Sequence, residues 1–161
     1  MSEELLKIIA ALKKNLSVIN YDPVGSRVTC NPAPTDTDED LLVYVHNIDA
    51  FHGSLVPLGF QQDGNPELYE GIDEEDFRSF RCGNINIIAT SQGQFYERFM
   101  VATNLAKRFN LLDKSDRIAL FRGVLYGAPT KDITPASTPI PDIFENAFNG
   151  QETYSSAPEL V

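Results

Sequence analysis

Basic charge is scarce in this chain. Its 161 residues carry 13 Lys and Arg against 23 Asp and Glu, a net charge of −10. A protein that grips nucleic acid over a broad basic surface is disfavoured by that balance. Cysteine is scarce too: there are two, Cys30 and Cys82, and no Cys/His cluster with zinc spacing. His46 and His52 stand without a third ligand nearby and read as ordinary residues. Cys30 has no evident base beside it, which argues against a nucleophile. Long hydrophobic runs are missing as well, the longest being about five residues, so neither a membrane span nor a signal peptide is expected. These absences point to a cytoplasmic protein with reduced thiols, although two cysteines can in principle pair.

What is present is unevenly spread. Asp36, Asp38, Glu39 and Asp40 stand directly before the apolar run Leu41 to Val45. Seven more acids lie between Asp63 and Asp76 with no Lys or Arg among them. The 63–76 run reads as a solvated loop, with mimicry of a phosphate backbone as its functional alternative. Basic residues gather later: Arg78, Arg81, Arg98, Lys107, Arg108, Lys114, Arg117 and Arg122.

Hydrophobic periodicity predicts a helix over Glu3 to Leu16 with Ser2 as N-cap, on the stripe Leu5, Ile8, Ile9, Leu12, Leu16. A short strand is expected from Val18 to Tyr21 and a loop at Asn31-Pro32-Ala33-Pro34. Leu41 to Val45 reads as a buried strand. Asp49 to Leu58 reads as a helix stopped near Pro57 or Gly59, and residues 61–75 as a polar surface loop. Phe77 to Arg81 and Ile85 to Thr90 are expected strands, with a tight turn at Cys82-Gly83-Asn84. Gln94 to Phe109 is the clearest helix, with Phe95, Phe99, Ala102, Ala106 and Phe109 on one stripe that reads as core. Ser115 to Tyr126 follows, stopped by Gly127. The expected fold class is α/β (α+β): one domain over 1–127, a small mixed sheet flanked by helices. Five of the ten prolines lie in 128–161, which predicts a flexible tail. Within it, 141–148 has the pattern of a short helix, to be packed on its own domain or offered to a partner.

Val24-Gly25-Ser26, an eleven-residue spacer, and Asp38-Glu39-Asp40 leading into a strand form a spaced motif. Alternate residues at the start of a strand point to one side, so Asp38 and Asp40 aim at one spot. The motif resembles that of the DNA polymerase beta-like nucleotidyltransferase superfamily, and residues 15–127 look similar to nucleotidyltransferase-like proteins of tailed bacteriophages. The resemblance implies transfer of a nucleoside monophosphate from an NTP to a protein or RNA acceptor. It implies Mg²⁺ or Mn²⁺ on Asp38 and Asp40, and nucleotide phosphates on Gly25, Ser26 and Arg27. A phage origin would place the protein in the cytoplasm of an infected host, with a host protein as partner.

The sequence departs from the family pattern at three places. The third carboxylate, the proton acceptor on a neighbouring strand, aligns with Asn86 (or Asn84), and an amide accepts no proton. Glu39 stands where an apolar residue is usual, and Pro32 and Pro34 interrupt the helix after Gly-Ser. Two readings of different class therefore stand side by side: an active transferase, with Glu74, Glu75 or Asp76 as a substitute acid, or an inactive relative kept as a binding or inhibitor protein. A third reading makes the chain an acidic decoy for a nucleic-acid-binding enzyme.

Overall fold

The computed structural model describes residues 1–64 and 77–127. The tail, its expected helix at 141–148, and Glu74, Glu75 and Asp76 lie outside the described residues. The first helix, α1 (Glu3–Lys14), starts where Ser2 accepts the Leu5 N–H at 3.1 Å. Acids in its first turn and lysines in its last suit the helix dipole. It ends at the Asn15 cap, two residues earlier than the stripe suggests, leaving Leu16 95% exposed.

Five strands follow: β1 (Val18–Val24), β2 (Glu39–Val45), β3 (Gln61–Gln62), β4 (Arg78–Cys82) and β5 (Ile85–Thr90). Between β1 and β2 lies a single turn of helix, α2 (Ser26–Thr29), before the proline loop. After β2, α3 (Ile48–Leu55) is capped by Asn47, whose Oδ1 accepts the Ala50 N–H. Pro57 offers no N–H to continue it, so the chain tightens into a 3₁₀ turn, Val56–Leu58, and leaves through Gly59 at φ 88°. Two long helices close the described part, α4 (Gly93–Phe109) and α5 (Lys114–Tyr126).

The sheet order is β1-β2-β5-β4-β3. β2 and β5 run parallel, and every other neighbouring pair is antiparallel. The sheet is thus mixed and flanked by helices, as expected, and Leu41–Val45 does lie beside Ile85–Thr90. β4 and β5 form a hairpin through Gly83-Asn84, where Gly83 takes φ 56°. β3 is the element the sequence does not announce: two glutamines within the expected loop, paired with Arg81 and Phe80.

One sheet face carries Leu41, Val43, Val45, Phe80, Ile85, Ile87 and Ala89, all buried and packed with Leu5 and Leu12 of α1 and Phe51 and Leu55 of α3. The other carries Val24, Leu42 and Ile88, packed with Phe95, Phe99, Ala102 and Ala106 of α4 and Phe121 and Leu125 of α5. All six residues of β5 are buried, as a strand covered on both faces requires. Phe109 does not join the α4 stripe: it is 63% exposed at the end of the helix, where Asn110 turns the chain at φ 49°.

Candidate functional site

The pairing register puts Val24 opposite Asp40, Asp40 opposite Asn86, and Asn86 opposite Arg81. Residues opposite one another share a face, so Asp40, Asn86 and Arg81 form a polar row across the α4/α5 face. At one end of this row the helices stand away from the sheet. A cavity of about 390 Å³ opens there, lined by Gly25, Ser26, Asp36, Asp38, Asp40, Ser79, Arg81 and Asn86 from the sheet and its loops. Lys114, Arg117, Ile118 and Phe121 of α5, with Phe99 of α4, complete the wall.

Of the residues singled out by sequence, Gly25, Ser26, Asp38, Asp40 and Asn86 share this cavity; Arg27 does not line it. Arg27 is turned to the loop instead. Its Nε donates to the Thr37 carbonyl at 2.9 Å and its Nη2 to the Thr35 carbonyl at 3.1 Å. It braces the segment that delivers Asp38. Asn84, the alternative to Asn86, sits exposed in the hairpin turn, where its carbonyl accepts the Glu39 N–H.

Gly25 is required by geometry. Its φ is 80°, and a Cβ there would come within 2.9 Å of Asp40 Cγ and closer still to Oδ2. The Asp40 carboxylate therefore lies directly against the Gly25 backbone. Asp40 Oδ1 accepts from Asn86 Nδ2 at 2.8 Å, and Asn86 Oδ1 accepts from Ser79 Oγ at 2.8 Å. A carboxylate only accepts, so the amide must turn its nitrogen to Asp40 and its oxygen to the serine hydroxyl.

The three acids of Asp38-Glu39-Asp40 go to three different partners. Asp38 Oδ2 pairs with Arg81 Nη1 at 2.6 Å, and Arg81 Nε reaches Asp63 Oδ2 at 2.8 Å. These hydrogen bonds, to Asp38 first and then Asp63, raise the Arg81 pKa further above its ordinary value. Glu39 alternates to the opposite face, where it is 6% exposed. There it accepts the Ser2 N–H and hydroxyl at the head of α1, with Arg27 Nη1 at 3.7 Å. Burial alone would raise its pKa, but the Ser2 hydrogen bonds and the Arg27 charge outweigh it and hold the carboxyl below its ordinary value. Glu39 thus anchors the N-cap of α1 to β2.

Sequence reasoning had singled out none of Arg81, Ser79, Lys114 and Arg117 as site residues: Ser79 lay in an expected strand, and the other three were counted only among the later basic residues. The register against Asn86 is what brings Arg81 and Ser79 to the site. Arg117 is partly committed, donating to the carbonyls of Leu111 at 2.9 Å and Leu112 at 2.7 Å.

No family profile and no curated protein matches the sequence. Among solved structures, the chain is similar to the conserved protein GrpB from Enterococcus faecalis. The TM-score is 0.50 at 18% identity, over 76% of this chain and 88% of that one. At that identity the likeness concerns fold alone.

The Gly25-Ser26 and Asp38/Asp40 motif, gathered in one cavity, raises the question of a divalent metal, and the donor set answers poorly. Asp38 is engaged by a guanidinium, the Asn86 carbonyl by a hydroxyl, and Asp40 by an amide N–H. Among the described residues, no three His, Cys, Asp or Glu side chains gather as a metal cluster. Two-metal centres hold ions about 3.5–4 Å apart between shared carboxylates; the residues present do not fit one. No helix among the described residues is long and apolar enough to cross a membrane.

Proposed function

We propose that this chain is a nucleotide-binding protein on a nucleotidyltransferase-like fold, in which the cavity is kept and the transfer centre has lapsed. The observation that carries this reading is the Asp40–Asn86–Ser79 row. The position that should take a proton from the attacking hydroxyl holds an amide, buried and hydrogen-bonded on both sides. An amide supplies no general-base catalysis, which is worth roughly 10²–10⁴-fold. What remains suits binding: a cavity of nucleotide size, backbone at Gly25 open to close approach, the Ser26 hydroxyl, and Lys114 and Arg117 opposite.

The test is calorimetric titration with ATP, GTP, CTP and UTP, beside an assay for pyrophosphate release. Saturable binding of one nucleotide, weakened by Lys114→Ala and Ser26→Ala without loss of folding, and no turnover, is the expected result. Metal-dependent turnover abolished by Asp40→Ala would overturn it in favour of an active transferase acting on a protein or RNA acceptor. The shared cavity of Gly25, Ser26, Asp38 and Asp40 is what favours that second reading. The decoy reading is weaker, because Asp38, Glu39 and Asp40 are spent on Arg81, Ser2 and Asn86 rather than offered to a basic partner or host protein.

A further inference from the structure

We infer that Arg81 is the resident cation of the cavity, holding the place at Asp38 that a divalent ion would need, so that the anionic ligand enters free of metal. As far as the ligand is concerned, this rests on the nucleotide-binding reading above.

The geometry is specific. Arg81 lies two strands from Asp40, with Asn86 between them in the same row. Neighbouring strands are about 4.8 Å apart, so the Arg81 backbone is roughly 10 Å from that of Asp40. Its side chain spans the gap to Asp38, at the mouth of β2, with Nη1–Oδ2 at 2.6 Å. The guanidinium is held from a second side by Asp63, at 2.8 Å from Nε. Asp63 is itself fixed, since its N–H donates to the Ser79 carbonyl at 2.8 Å.

A guanidinium so placed differs from a bound metal in two ways. It cannot be lost to a chelator, and it stays charged at every working pH. A dication brought to Asp38 would meet that fixed positive charge and would have to strip Asp38 from a charge-assisted hydrogen bond. At Asp40 it would meet the Asn86 N–H donor. Each carboxylate that the motif would offer to metal accepts from a nitrogen donor.

The decisive experiment is Mn²⁺ titration followed by electron paramagnetic resonance on the wild-type chain, Arg81→Met, Arg81→Lys, and Arg81→Met combined with Asp40→Asn. The wild type and Arg81→Lys should show no site sensitive to Asp40. Arg81→Met should bind Mn²⁺ at least tenfold more tightly, and the added Asp40→Asn should abolish the gain. A wild-type Mn²⁺ site lost in Asp40→Asn overturns the inference, as does an Arg81→Met protein that gains nothing. If Arg81→Met does not fold, the wild-type titration and Arg81→Lys still decide. In parallel, ATP affinity is compared in EDTA and in Mg²⁺. Equal affinity is expected, and binding only with Mg²⁺ overturns the inference. Absence of nucleotide binding in both buffers defeats the nucleotide reading and leaves the Mn²⁺ arms to judge Arg81.

Discussion

The face of the sheet under α1 and α3 is apolar along β2, β4 and β5 apart from Glu39, which is sealed by Ser2, and Arg78 at one end, which pairs with Asp49 of α3. The face under α4 and α5 is apolar only at one end. At the other it breaks into the row Asp40, Asn86, Arg81 and a cavity. The same strands supply both faces by alternation, so a single register fixes the packed side and the chemical side together. Residues on the closed face should govern stability, and residues on the open face should govern what binds.

The sharpest way to break that contrast is at Phe51. It is fully buried and meets Phe80 edge-on, with ring centroids 6.3 Å apart. Phe51→Ala should cost about 3–5 kcal/mol in urea unfolding. A loss below about 1 kcal/mol would mean that the closed face is not the stabilising one.

Asn86→Asp tests the open face. It sets a second carboxylate against Asp40 where an amide now donates at 2.8 Å. Two such groups cannot both ionise cheaply, and the pKa of one must rise. A raised folded-state carboxyl pKa means that the penalty is present above that pKa and is relieved as pH falls through it. The variant should therefore be destabilised by about 1–3 kcal/mol at neutral pH and recover towards pH 4, which a pH series of melts would read. Recovery on adding Mn²⁺, accompanied by new NTP turnover, would instead revive the transferase reading. Asn84→Asp, in the exposed turn, should do neither.

Gly25→Ala probes where the Gly25-Ser26 turn meets the Asp40 carboxylate. Positive φ and contact with Asp40 should cost about 1–3 kcal/mol. Part of that cost should vanish in an Asp40→Ala background, and a double-mutant cycle would show it. Additive losses would place Asp40 away from Gly25.

Glu39 gives a smaller, pH-dependent effect. Its folded pKa is held below the ordinary value near 4.5. Its contribution is therefore complete above the unfolded pKa and is lost as pH falls through the folded one. Glu39→Gln should lower stability by about 1–2 kcal/mol at pH 7 and converge with the wild type under acid. Smallest of all, Phe109→Ser at the exposed end of α4 should stay within about 0.5 kcal/mol.

Much of the fold was legible because its signals are local. The Ser2 cap, the α4 stripe, the five-residue apolar run and the Gly83 turn each declare an element within a few residues. β3 was not legible, since Gln61 and Gln62 bury nothing and are held by backbone pairing to β4. In the site, the alternation of Asp38 and Asp40 could be read from spacing, whereas the contact with Asp40 that requires glycine at 25 could not. The roles of Glu39 and Arg81 could not. Their partners, Ser2 and Asp38, lie 37 and 43 residues away and meet them only through the sheet. Arg27 was misplaced for the opposite reason: a cation beside Gly-Ser suggests phosphate, yet two loop carbonyls stand nearer.

Among the described residues the sheet ends at β1 on one side and β3 on the other. β3 is two residues long, too short to template another strand. β1 is longer, but it slips register between Val18 and Asn20 and carries Pro23, which lacks a backbone donor. Both borders are thus poor surfaces for strand addition. Crowded copies of this domain should resist stitching edge to edge into fibrils, a protection that comes from the margins of the sheet and owes nothing to its core.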